Sequence, residues 1–183
     1  NLVFDNIKVE LPNGISLATC SNNDNRALKT VVLMNSEIKV GASDESASYT
    51  DATITYLIKS DAETTDSVDK GMTSLTIKNN VISGDGDVKR FRVFSAEKVD
   101  VPNLTMNDNT IVNCYPNYGY VASATGAYEI NEVKGNLFYV PNYAKVAQWY
   151  AIVYPKGEQG NTDPYKAVAT EKFADNTAYY GGT

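Results

Sequence analysis

The chain of 183 residues carries 22 acidic and 16 basic side chains, a formal charge of −6, with no histidine and two cysteines. This length suits one domain with a sizeable core, and the acidic balance argues against a nucleic-acid partner, because neutralising phosphates needs a concentrated basic face. Without histidine there is no histidine general base, Ser-His-Asp triad or histidine-ligated zinc, and two cysteines are too few for a thiolate metal cluster, so no cofactor or metal is expected.

The N-terminal stretch Leu2 to Val9 reads as strand, turn and strand: Phe4 is followed by turn-forming Asp5-Asn6, then by alternating Ile7 and Val9. Asn1 to Phe4 is already strand-like, with no basic-then-apolar signal pattern, and the chain is expected to be part of a longer secreted protein. No apolar run approaches the roughly 20 residues of a membrane-spanning helix, so membrane insertion of that kind is not expected. Pro12-Asn-Gly14 ends the unit, Ile15 to Thr19 is a third short strand, and Ser21 to Asn25 is a polar loop.

Val31 to Val40 repeats the first pattern, with Glu37-Ile-Lys-Val echoing Asn6-Ile-Lys-Val about 31 residues on. Residues 41–51 read as a loop, Ala52 to Ile58 as a β-branched strand, and Asp61 to Lys70 as an exposed acidic excursion whose oxygen ligands lack an EF-hand-like spacing.

The clearest repeat is Leu75-Thr-Ile-Lys-Asn-Asn-Val-Ile82 and its near copy Leu104-Thr-Met-Asn-Asp-Asn-Thr-Ile111, roughly 29 residues apart. Each is a strand, a tight turn and a strand. Arg90 to Phe94 and Tyr120 to Ser123 follow as matching third strands, after turns at 83–87 and 115–119. Val133 to Phe138 restates the signature, Pro141-Asn-Tyr143 repeats Pro116-Asn-Tyr118, Val146 to Tyr154 is an apolar strand, and Phe173 to Ala178 gives the signature once more.

Three short strands per unit cannot bury an apolar face alone, so units must stack. The expected fold is all-β: a right-handed parallel β-helix, a single-stranded solenoid of about six coils, as one domain over residues 1–183. Stacking sets Ile77, Met106 and Val133 above one another. It also brings the turn residues Asn80, Asn109, Asn136 and Asn176 into register as an asparagine ladder, each taking the left-handed conformation and donating its amide to the next coil. An antiparallel sandwich would not need the recurring turn sequence.

Cys20 and Cys114 could pair in an oxidising compartment, but Cys114 follows an apolar strand and reads more simply as a small buried residue.

The signatures at 75–82, 104–111 and Gly135-Asn-Leu-Phe138 resemble those of pectin-lyase-like right-handed β-helix proteins, and more narrowly Bacteroidetes surface domains of unknown function encoded with polysaccharide-utilisation systems. The resemblance covers nearly the whole chain. It implies a secreted, cell-surface or periplasmic setting and a connection to glycans, with other domains of the same chain as neighbours. In lyases of this superfamily an acidic polysaccharide lies along one parallel sheet, with calcium held by acids and a basic residue removing a proton.

Arg90 and Arg92 alternate outward if Phe91 and Val93 face the core, which makes them the best cationic pair for a uronate, but the matching strands lack the clustered acids that lyase chemistry needs. Asp85 and Asp87 are a carboxylate pair in a Gly-rich turn, where acids are ordinary turn formers. Tyr118, Tyr120, Tyr143, Trp149 and Tyr150 recur around the equivalent turns and offer faces for stacking on sugars; a tyrosine ladder covering the coil edges would use the same residues.

No catalytic residue is assigned. The expected function is a noncatalytic extracellular glycan-associated module, with a polysaccharide or oligosaccharide partner. The alternatives are a lyase acting on a uronate polysaccharide and a structural spacer or adhesin stalk.

Overall fold

A computed structural model describes residues 1–12, 14–21, 29–41, 55–61, 73–84, 89–96, 101–115, 118–123, 128–141, 150–155 and 172–180. In chain order the strands are β1 (Leu2–Asp5), β2 (Lys8–Leu11), β3 (Ser16–Ser21), β4 (Thr30–Met34), β5 (Glu37–Val40) and β6 (Thr55–Asp61). They continue with β7 (Ser74–Lys78), β8 (Val81–Gly84), β9 (Lys89–Ala96), β10 (Val101–Asn107), β11 (Thr110–Val112), the two-residue β12 (Cys114–Tyr115) and β13 (Tyr118–Ser123). The last are β14 (Tyr128–Lys134), β15 (Leu137–Val140), β16 (Tyr150–Pro155), β17 (Phe173–Ala174) and β18 (Thr177–Tyr180).

These strands form three parallel sheets. The first runs β1-β4-β7-β10-β14-β17, the second β2-β5-β8-β11-β15-β18, and the third β3-β6-β9-β13-β16, with β12 beside the start of β9. Each strand pairs with its counterpart one repeat away, so the fold is a parallel β-helix; among the described residues two sheets have six strands and the third has five in its stacked order, with β12 as a sixth beside β9.

Alternation explains the core. In the first sheet Val31 and Leu33, Leu75 and Ile77, and Leu104 and Met106 are fully buried, while Val32, Thr76 and Thr105 between them are half-buried on the outer face. The register Leu33↔Ile77↔Met106↔Val133↔Phe173 runs through β17, which sets Ile77, Met106 and Val133 in one inward column. Each such side chain contributes about 1.5–3 kcal/mol through the apolar area it removes from water. Cys114 is fully buried in this core; the side chain of Cys20 lies outside the described residues.

The tight turn between the first two sheets departs from expectation in one respect. The left-handed residues are Asn6, Asn35, Asn79, Asp108, Gly135 and Asp175, with φ between 52° and 65°. Asn80, Asn109, Asn136 and Asn176 each follow one of them and are not left-handed. The cause is a division of labour within the turn. The first residue reverses the chain, which costs an L-residue about 1–2 kcal/mol and costs Asn, Asp or Gly least. The second turns its side chain inward, where the coils on either side satisfy it.

Asp61 is the last residue of β6, but most of the acidic excursion 61–70, the pair Asp85 and Asp87, and the loop 156–171 lie outside the described residues.

Candidate functional site

The inner ladder is formed by the four expected asparagines. Asn80 donates from its backbone N–H (3.1 Å) and from Nδ2 (2.9 Å) to Asn109 Oδ1, and Asn109 repeats both bonds to Asn136 Oδ1 at 3.0 and 2.9 Å. Asn136 does the same to Asn176 Oδ1 at 3.1 and 2.8 Å. The second Nδ2 hydrogen of Asn80, Asn109, Asn136 and Asn176 goes back to the carbonyls of Leu33, Ile77, Met106 and Val133. Asn80, Asn109 and Asn136 are each 1% exposed, and the ladder accounts for every polar atom of their side chains. These amides are spent on architecture.

Ser36 is a further rung. It donates from its backbone N–H to Asn80 Oδ1, accepts from Ile7 N at Oγ, and turns its hydroxyl onto Met34 O at 2.6 Å. Its position one residue after Asn35 was the available signal. An outer ladder of exposed side chains runs beside it, from Asn79 Nδ2 to Asn35 Oδ1 and from Asn35 Nδ2 to Asp5 Oδ1, both 2.9 Å.

Arg92 is half-buried between the fully buried Phe91 and Val93, as alternation requires, and its register partner on β6 is Tyr56. The guanidinium lies over the Tyr56 ring, 6.0 Å from its centroid, and Lys59 Nζ lies 5.9 Å from the same centroid. Lys59 reaches that ring because alternation breaks beside it: Leu57 and Ile58 are both buried, and so are Val93 and Phe94. Two basic side chains are thus disposed around one aromatic ring. Each contact contributes about 0.5–1 kcal/mol at a partly exposed site. A planar aromatic with adjacent cations can stack on a sugar and pair with a carboxylate.

Arg90 lies on β9 with Tyr115 as its register partner. Tyr118 and Tyr150 open β13 and β16 as direct register partners, and Tyr120 follows on β13; for these residues, as for Arg90, the structure gives backbone positions. The pairing brings Tyr118 beside Tyr150, whereas the sequence repeat matched Tyr118 to Tyr143. Tyr143 and Trp149 lie outside the described residues.

A second aromatic feature was not expected. Tyr139 and Tyr179, register partners on β15 and β18, are 41% and 52% exposed and stack with ring centroids 5.1 Å apart and planes 18° from parallel. Leu137 and Val81 are exposed on the same outer face. Each ring covers a face of the other, as in a ladder along the solenoid axis.

On the first sheet, Glu132 accepts from Lys134 Nζ at 2.8 Å and from Asn107 Nδ2 at 2.7 Å. The Lys134 bond first, then the Asn107 bond, hold the Glu132 carboxyl below its ordinary range, and Glu132 raises Lys134. Among the described residues no group of three or more Asp, Glu, Cys or His is placed to hold a metal ion.

No family model matches this chain, and no curated protein or solved structure matches it either.

Proposed function

We propose that the protein is a noncatalytic, extracellular glycan-associated β-helix module of pectin-lyase-like type, which meets an acidic polysaccharide on the outer face of its third sheet. The observation that carries this reading is the Tyr56 ring with Arg92 and Lys59 disposed around it. An aromatic face and two cations match a sugar ring bearing a carboxylate. Arg90 lies on the same strand, Tyr118 and Tyr120 on the adjacent β13 and Tyr150 on β16 beyond it, and they are the further residues this reading assigns to recognition.

The test is binding to an array of neutral and uronate-containing plant and host polysaccharides, with Tyr56→Ala and Trp149→Ala as controls. Selective retention of uronate polymers, weakened by Tyr56→Ala, is expected. No binding to any polysaccharide would sink the recognition claim. Robust formation of an unsaturated, ultraviolet-absorbing product, with or without calcium, would replace it with lyase activity.

A structural spacer is the second reading, favoured by the mutual stacking of Tyr139 and Tyr179. It expects no ligand and tolerance of every exposed aromatic substitution.

A further inference from the structure

The stack of Tyr139 on Tyr179 follows from register. In β15 alternation buries Phe138 and Val140 and leaves Leu137 and Tyr139 outside, and β18 pairs with it in parallel so that Tyr179 is the direct partner of Tyr139. Neighbouring strands stand about 4.7–4.9 Å apart, so equivalent rings on such a pair meet face to face. The centroids are 5.1 Å apart, the planes are 18° from parallel, and both residues remain exposed. On the other side of Tyr139 the register partner is Val112, which is aliphatic and half-buried.

We propose that Tyr139 and Tyr179 form a cross-linking site, at which a haem-peroxidase-class oxidant working with hydrogen peroxide joins them as dityrosine. Each phenol gives up one electron and its hydroxyl proton. The two phenoxyl radicals then form a carbon–carbon bond between the ring carbons beside the oxygens, and each of those carbons loses its hydrogen as a proton while its ring oxygen takes one up. The two electrons and two protons removed from the protein reduce one hydrogen peroxide to two waters.

Proximity selects this pair. A radical on either ring meets the other at an effective concentration far above that of any second molecule. Tyr56 is set apart from such chemistry, because Arg92 and Lys59 around its ring oppose removal of an electron. The Cys114 thiol, fully buried, is withheld from the oxidant. The product ties β15 to β18 and closes the chain between them into a loop, which restricts the unfolded state as other covalent cross-links do.

The test treats the dilute full chain with a haem peroxidase and hydrogen peroxide, beside Tyr139→Phe and Tyr179→Phe, which keep the ring and lack the hydroxyl. The parent should yield a fluorescent monomer two hydrogens lighter, whose proteolytic fragments join Tyr139 to Tyr179. Each variant should lose about ten-fold in that yield, since its remaining phenol has no partner beside it. The cross-linked monomer should unfold at a higher urea concentration than the untreated chain. A link mapped to other tyrosines, an equal yield in either variant, coupling only between molecules, or an unchanged urea midpoint would each overturn the proposal. So would the same link at the same yield from chain oxidised in urea, where thirteen tyrosines have no preferred pair.

Discussion

Asn79 and Asn80 are neighbours in sequence with opposite tasks. Asn79 is exposed and left-handed at φ 56°, whereas Asn80 is 1% exposed and bonds to Asn109 in the next coil. The same division recurs at Asp108 and Asn109, at Gly135 and Asn136, and at Asp175 and Asn176.

The division predicts opposite responses to substitution. Asn79→Gly relieves the left-handed backbone but loses one exposed hydrogen bond and adds chain entropy to the unfolded state, so stability should change by less than about 1 kcal/mol. Asn80→Ala removes the acceptor of Ser36 N and the donor to Leu33 O, both inside the stack. It should cost about 3 kcal/mol, because buried partners left unmet lose about 1–3 kcal/mol each. Urea midpoints of the two variants at unchanged m decide it; equal midpoints would contradict the assignment.

Gly135 shows why the first turn residue is not freely interchangeable. Its φ is 65°, and a Cβ there would lie 2.5 Å from Asp108 Oδ1. Gly135→Ala should therefore destabilise by the left-handed penalty of about 1–2 kcal/mol and by a further increment from crowding Asp108. Adding Asp108→Gly should recover the crowding part alone. Purely additive losses in the double-variant cycle would show that the two positions do not touch.

Much of the fold was legible because the turn chemistry repeats with the strand period. Leu104-Thr-Met and Leu75-Thr-Ile each state an inward, outward, inward triplet, and the Asn three residues after it, Asn109 and Asn80, marks the rung. Which of two adjacent turn residues is left-handed was not legible, since Asn suits both tasks. The Tyr56, Lys59 and Arg92 cluster was hidden for another reason. Its two strands are separated by segments of irregular length, so the pairing of Tyr56 with Arg92 cannot be counted from the repeat. Strict alternation would also bury Lys59 rather than Ile58, and only the consecutive burial of Leu57 and Ile58 brings Lys59 to that ring.

The Glu132 and Lys134 pair gives a pH dependence of definite sign. The Glu132 carboxyl is lowered in the folded chain, first by Lys134 and then by Asn107, so its contribution is present above the unfolded carboxylate value and lost as pH falls through the lowered folded value. Lys134 is raised by Glu132, so its contribution is present below the unfolded lysine value and lost as pH rises through the raised one. Glu132→Gln should be less stable than the parent near neutrality, and the two should converge in acid. Salt should narrow the neutral gap, because the pair faces solvent. Denaturant titrations across the acid limb, at low and high salt, test this; a gap that persists below the carboxylate range would show that the charge is not its source.

The third-sheet cluster makes the most direct functional prediction. Tyr56 is half-buried on the outer face, and its loss opens no core cavity, so Tyr56→Ala should cost about 1–2 kcal/mol of stability, the two cation contacts it removes. On the proposed function it should weaken retention of a uronate polysaccharide by about two- to ten-fold, the range expected when one aromatic contact of about 0.5–1.5 kcal/mol is removed. Tyr56→Phe keeps the ring and should retain most of the binding. Arg92→Gln removes a cation instead, so its loss should shrink as ionic strength rises, whereas that of Tyr56→Ala should not. Affinity electrophoresis of the four proteins in gels containing the polymer, at two salt concentrations, separates the two contributions. Indistinguishable mobility of parent and Tyr56→Ala would remove this face from the binding surface.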